Sequence, residues 1–256
     1  MTNSIVVLHG ALGAAAQMQP IADALRLIDG VACDVHVIEL PGHGETPLAD
    51  DEDFGVAKFA SVLAVQIAAR GLVKPLCFGY SMGGYVALAL EARAPGTFGG
   101  IVTLGTKFAW TPGGAAREVR RLDAGKLREK VPHFAAVLEA RHANAGGWER
   151  VLSRTAALLT AIGDAPVLTD DVLARVACPT VIAAGTKDET VTADETPNAA
   201  HATGGEAVML DGVEHPIESV PVYQVISLVR QLISAAARRA STLGVNSAPA
   251  QSRSIA

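Results

Sequence analysis

Aromatic side chains are scarce in this chain of 256 residues, where Phe, Trp and Tyr together make up 4%. A core built around stacked rings is therefore excluded, and packing must come mainly from Ala, Val, Leu and Ile, with 25 glycines for tight contacts. Cysteine is scarcer still. Cys33, Cys77 and Cys178 are too few and too scattered for a disulfide framework or a paired-cysteine metal knuckle. Charged residues make up only 18% against 50% apolar, which excludes a disordered chain. The net charge of −5 and a pI near 5.8 argue against a nucleic-acid or anionic-membrane partner. No apolar run approaches the roughly 18 residues of a membrane span. The apolar stretch Ile5 to Ala16 ends in three alanines, as a signal peptide would. No Lys or Arg precedes Arg26, however, and His9, Gly10 and Gly13 interrupt the stretch, so a short strand and a glycine turn fit better. The expectation is a soluble, cytoplasmic globular protein.

What is present is a recurring pattern. Short apolar, β-branched runs occur at Ser4–Leu8, Val35–Leu40, Leu76–Tyr80, Ile101–Leu104, Thr180–Ala184 and Ala207–Leu210. Most lack polar alternation, as strands buried on both faces of a parallel sheet do. Helical periodicity lies between them, at Pro20–Leu27, Val56–Arg70, Ser81–Arg93 and Ile217–Arg239. This alternation predicts an α/β fold with a doubly wound, mostly parallel sheet and helices on both faces. It breaks between Lys107 and Ala177, where no strand is legible and helices are punctuated by Pro112, Pro132, Gly146-Gly147 and Pro166. An insertion of about 70 residues is far longer than an ordinary connection and reads as a helical cap. Its basic cluster, Arg117 to Lys130, is interleaved with Glu118, Asp123 and Glu129, which suits a solvated helix face. The expected organisation is a core of residues 1–106 and 178–240, a cap at 107–177, and a disordered tail at 241–256.

The strongest chemical signal is Leu76-Cys77-Phe78-Gly79-Tyr80-Ser81-Met82-Gly83-Gly84. A buried strand runs directly into Gly-x-Ser-x-Gly and then a helix. At such a turn a serine projects its Oγ above the sheet, while the glycines relieve crowding between strand and helix. A serine needs a base, oriented in turn by an acid. Of seven histidines, His215 lies in the loop leaving the last strand, on the sheet edge where ligands bind. His36 falls inside a strand and His43 in a Pro-Gly-His-Gly turn; His133, His142 and His201 have no strand end behind them and read as core or surface. For the acid, Asp188 follows the strand Thr180–Ala184 directly; Asp194 is the runner-up, and Asp211 is too near His215 in sequence.

The order Ser81, Asp188, His215 matches that of the α/β-hydrolase fold, and the chain resembles a serine hydrolase of that superfamily from about Ser4 to Arg239. His9-Gly10-Ala11-Leu12-Gly13 is similar to the family's oxyanion loop, and Leu40-Pro41-Gly42-His43-Gly44 to a second characteristic turn. The resemblance implies that the Ala11 and Met82 N–H groups form the oxyanion hole, with Leu12 the second choice, and that His9 is structural. Two departures stand out. The first strand resembles the family's third, without an antiparallel pair before it, and Tyr85 replaces an arginine that lyase-type relatives carry. The resemblance implies a Ser-His-Asp mechanism through an acyl-enzyme, with neither metal nor cofactor. The substrate expected is a small, mostly apolar carboxylic ester or lactone. C–C bond hydrolysis, a lyase reaction or perhydrolysis would use the same residues, and a non-catalytic ligand receptor is the remaining alternative. Leu12, Phe108, Trp110 and Trp148 are expected to line the substrate pocket, the aromatics because so few occur elsewhere. Oligomeric state is left open.

Overall fold

The computed structural model describes residues 4–28 and 33–245. Six strands form one sheet in the order β2-β1-β3-β4-β5-β6, and every neighbouring pair is parallel. They are β1 (Ser4–Leu8), β2 (Asp34–Ile38), β3 (Leu76–Tyr80), β4 (Gly100–Leu104), β5 (Thr180–Gly185) and β6 (Glu206–Leu210). β3, β4 and β5 are buried along their whole length, which is why they read as continuous apolar runs. β6 lies at the sheet edge and alternates between half-buried and exposed.

The pleat sends alternate side chains into two cores. Val6, Leu8 and Cys77 face one cluster; Ile5, Val7, Leu76 and Phe78 face the other. The first cluster is closed by α2 (Val56–Ala69) and α3 (Met82–Arg93), through Phe59, Leu63, Val86 and Leu90. The second is closed by α1 (Gln19–Arg26) and α10 (Val222–Val245), through Ile21, Leu25, Val225, Leu228 and Leu232. Burying a Leu or Phe of this kind stabilises the fold by about 1.5–3 kcal/mol. Helices therefore cover both faces, as the apolar pattern predicts.

Between β4 and β5 the regular structure is helical: α4 (Pro112–Val119), α5 (Ala124–Lys130), α6 (Pro132–Arg141), α7 (Trp148–Asp164) and α8 (Asp170–Leu173). Trp148 and Leu152 of α7 meet Ala135 and Leu138 of α6 in a small core of their own. Half of the basic cluster is paired at the surface, Arg121 with Glu118, Lys126 with Asp123 and Arg128 with Glu149. α9 (Glu195–Thr203) links β5 to β6.

The final helix differs from expectation at both ends. It begins at Val222 rather than Ile217, because Pro221 disfavours helical backbone at the preceding residue; Val220 is extended, at φ −77° and ψ 121°. Ile217–Ser219 instead makes one short 3-10 turn. At its other end the helix continues through residues 240–245, past the expected boundary of the tail, after a run of helix-forming alanines at Ala235–Ala237. Residues 246–256 of that tail lie outside the described residues.

Chain order reverses direction across the sheet between β1 and β3, since β2 lies on the outer side of β1. In open parallel sheets the crevice at the carboxyl ends of such a pair is where ligands bind. The loop after β1 and the turn after β3 therefore meet at this crevice, with Leu8 paired in register to Gly79.

Candidate active site

Ser81 sits between the end of β3 and the start of α3, at φ +49° and ψ −114°. A residue with a side chain is strained there by about 1–3 kcal/mol and stays only where its surroundings enforce it. They do so on both sides of the residue. The Ser81 N–H donates to the Leu104 carbonyl at 2.8 Å, and the Ser81 carbonyl accepts from Thr106 Oγ1 at 2.9 Å and from the N–H groups of Gly84 and Tyr85. The flanking glycines permit the close approach: a Cβ on Gly79 would lie 2.5 Å from the backbone of Gly84, and one on Gly83 would lie 2.6 Å from the His9 carbonyl.

Asp188 and His215 come together beside this turn. Asp188 lies just beyond β5, and its side chain is 1% exposed. Its Oδ1 accepts from the N–H groups of Thr190 (2.8 Å) and Val191 (3.2 Å), leaving Oδ2 to meet His215 Nδ1 at 2.8 Å. His215 is held from a second direction, where Tyr80 Oη donates to its carbonyl at 3.0 Å. Gly105 after β4 passes against the pair; a Cβ there would lie 3.2 Å from both Asp188 Oδ2 and His215 Nδ1. The other acidic candidates are elsewhere: Asp211 accepts from Thr186 Oγ1, and Asp194 precedes α9.

Ala11, Leu12, Ser81, Met82 and His215 border one cavity of about 320 Å³. Its walls are largely apolar, from Leu122 and Phe134 on one side and Leu158, Leu159 and Ile162 of α7 on another. Trp110 and Leu12 line it, but Phe108 and Trp148 do not. Phe108 packs on the main core, and its N–H is bound to Glu195. Trp148 is 3% exposed in the small helical core, with the Arg128 guanidinium over its ring. Ring scarcity was a poor guide here, because large rings serve packing between helices as readily as ligand contact.

Cations reach the cavity, yet their partners are protein groups. Lys107 donates to Glu195 and to the Thr190 carbonyl, while Arg121 pairs with Glu118 and Arg141 with Glu218. Burial raises the Glu195 pKa, but the N–H groups of Thr192, Ala109 and Phe108 and the Lys107 ammonium outweigh it, so the net shift is downward. Tyr85 also lines the cavity, and its hydroxyl accepts from the N–H groups of Val167 and Leu168.

His9 is fully buried, with Nδ1 at 2.8 Å from the Gly10 carbonyl and Nε2 accepting from the Leu40 N–H. His43 is buried beside it, its pKa held well below the usual histidine value by burial and then by neighbouring His9. Arg141 and His142 carry no motif, but both contact the Leu12 carbonyl. Their contacts span about 130 residues of sequence, a separation at which no local pattern signals contact. Among the described residues, no group of three or more His, Cys, Asp or Glu is placed to hold a metal ion, and no helix is long and apolar enough to cross a membrane.

Comparison with known proteins bears on the fold. A family profile described as alpha/beta hydrolase fold matches residues 3–124, which include Ser81 but not Asp188 or His215. No curated protein matches the chain. Among solved structures it is similar to NosK from Streptomyces actuosus, at 20% identity and TM-score 0.76, covering 92% of this chain and 99% of that one. It is similar to 2-hydroxy-6-oxo-6-phenylhexa-2,4-dienoate hydrolase from Rhodococcus sp. strain RHA1, at 20% identity and TM-score 0.72, covering 91% and 90%. MenH from S. aureus aligns at 21% identity and TM-score 0.69, covering 92% and 95%. With the parallel six-stranded sheet and the serine turn after β3, the chain has the alpha/beta hydrolase fold.

Proposed function

We propose that this protein is a serine hydrolase of a small, mostly apolar carboxylic ester or lactone. The observation that carries this reading is the strained Ser81, bordering the same cavity as a His215 whose Nδ1 is held by a buried Asp188. Asp188 keeps the Nδ1 proton in place, so Nε2 is the free base. His215 takes the proton of Ser81 as its Oγ attacks the substrate carbonyl, and Asp188 stabilises the imidazolium. The Ala11 and Met82 N–H groups receive the oxyanion, each donor contributing about 3–4 kcal/mol. His215 then protonates the leaving alkoxide and activates water to release the acid.

The walls support the substrate class. Apolar surface makes up most of the walls, and the cations at the cavity are engaged by Glu195, Glu118 and Glu218, which disfavours a substrate needing several fixed positive charges. Residues 107–177 serve in this reading as a cap that closes the cavity over the strand ends. The test is turnover of p-nitrophenyl esters and lactones of graded chain length, alongside a vinylogous diketone and a peracid assay, with Ser81→Ala as blank. Short- to medium-chain esters or lactones are expected to be turned over best. Turnover of no ester or lactone above the blank would overturn the proposal.

A further inference from the structure

We infer that Arg141 and His142, at the end of α6, are positioning residues that hold the oxyanion turn in its working shape through the carbonyl of Leu12. The inference rests on the proposal that Ala11 supplies an oxyanion donor.

The Gly13 N–H donates to the Gly10 carbonyl at 3.1 Å, closing a four-residue turn with Ala11 and Leu12 at its centre. Leu12 stands at the third position with φ +58°. Glycine or asparagine is the usual occupant of such a position, because a side chain crowds the backbone there. The direction of the Ala11 N–H depends on this turn, so whatever enforces the conformation of Leu12 also aims the donor.

The restraint comes from the helical segment. The Leu12 carbonyl accepts from Arg141 Nη1 at 2.9 Å and from His142 Nε2 at 3.0 Å. The Leu12 side chain packs against Ala135, Leu138, Trp148 and Leu152. The tautomer of His142 follows from its other contact, since Nδ1 accepts from the Gly44 N–H at 3.1 Å and the ring proton must sit on Nε2. The neutral ring suits its surroundings. Burial lowers its pKa, as do Arg141 and neighbouring His9, against the raising effect of the Leu12 carbonyl and Glu39. His43 also faces it, with ring centroids 5.9 Å apart.

Arg141 reaches further. Its Nη2 lies 3.3 Å from Glu218, three residues beyond His215, and Glu218 also accepts from Gln17. One guanidinium therefore links the oxyanion turn to the loop that carries His215. The hole is set by the docking of the helical segment as well as by the core.

The test compares His142→Ala, His142→Gln, Leu12→Gly and the double variant L12G/H142A. It uses steady-state kinetics on the best ester and hydrogen exchange of the Gly13 amide by NMR. Expected for His142→Ala is a fall in kcat of about 10- to 100-fold, the size of effect a small misplacement produces, with KM changed by no more than about twofold. Gly13 exchange should accelerate. His142→Gln keeps one acceptor and one donor and should restore both readouts. Leu12→Gly should recover part of the loss when combined with His142→Ala, because glycine adopts the turn without restraint. Wild-type kcat and Gly13 protection in His142→Ala would overturn the inference. So would a loss that Leu12→Gly leaves untouched and that tracks global melting, since that marks a purely structural role. If no variant, nor the wild type, shows Ser81-dependent turnover, the proposed function fails, and Gly13 exchange alone decides the restraint.

Discussion

Replacing Asp188 by Asn tests the proposed mechanism at one hydrogen bond. The N–H groups of Thr190 and Val191 both point at Oδ1, so in Asp188→Asn the amide oxygen must take that position. The amide nitrogen then occupies the place of Oδ2, at 2.8 Å from His215 Nδ1, and donates where the carboxylate accepted. His215 must accept at Nδ1 and carry its proton on Nε2, so Nε2, the base in the proposed mechanism, can no longer take a proton. Wrong-tautomer substitutions of this kind cost about 10⁴-fold in kcat, or roughly 5.5 kcal/mol of transition-state stabilisation. The assay is kcat for the best ester, with circular dichroism to show that the fold survives. Asp194→Asn and Asp211→Asn serve as controls and should stay within about twofold of wild type, as surface changes away from the site do. A kcat for Asp188→Asn within tenfold of wild type would refute the assignment, and so would an equal loss in Asp211→Asn.

Other expectations follow from packing and charge. Gly79→Ala places a Cβ 2.5 Å from the backbone of Gly84; overpacking of this kind costs about 1–3 kcal/mol, so the thermal midpoint should fall, and an unchanged midpoint would contradict the tight strand–helix approach. Glu195→Gln leaves the nearly buried Lys107 without a countercharge and, with the amide oxygen kept toward Lys107, turns amide hydrogens toward the Phe108 and Ala109 N–H groups. Breaking a buried pair costs about 3–5 kcal/mol at neutral pH, measurable by urea unfolding. The pH dependence has a definite sign. The folded-state pKa of Glu195 lies below its ordinary value, so its stabilisation is complete above the unfolded carboxylate pKa of about 4.3 and disappears as pH falls through the lower folded value. The difference between wild type and Glu195→Gln should therefore shrink in acid, and a difference that grows there would contradict it.

The strands were legible because parallel strands covered on both faces carry uninterrupted apolar runs, as β3 and β5 do. The serine turn was legible because its glycines answer a local steric demand within six residues. The start of α10 was misread although Pro221 supplied the signal, since apolar spacing alone continued through Ile217. The cavity walls were not legible, because Leu158, Leu159 and Ile162 are ordinary helical apolar positions whose exposure to a cavity depends on how α7 sits. Arg141 and His142 were hidden for a related reason, their partner Leu12 being far away along the chain.

The central claim is that Ser81 is the nucleophile and that His215 activates it. Intact-mass measurement after exposure to a fluorophosphonate tests this most directly. The account predicts one adduct per chain, located by peptide mapping at Ser81, absent in Ser81→Ala and strongly slowed in His215→Ala. Labelling that persists in Ser81→Ala, or that proceeds in His215→Ala at the wild-type rate, would contradict it.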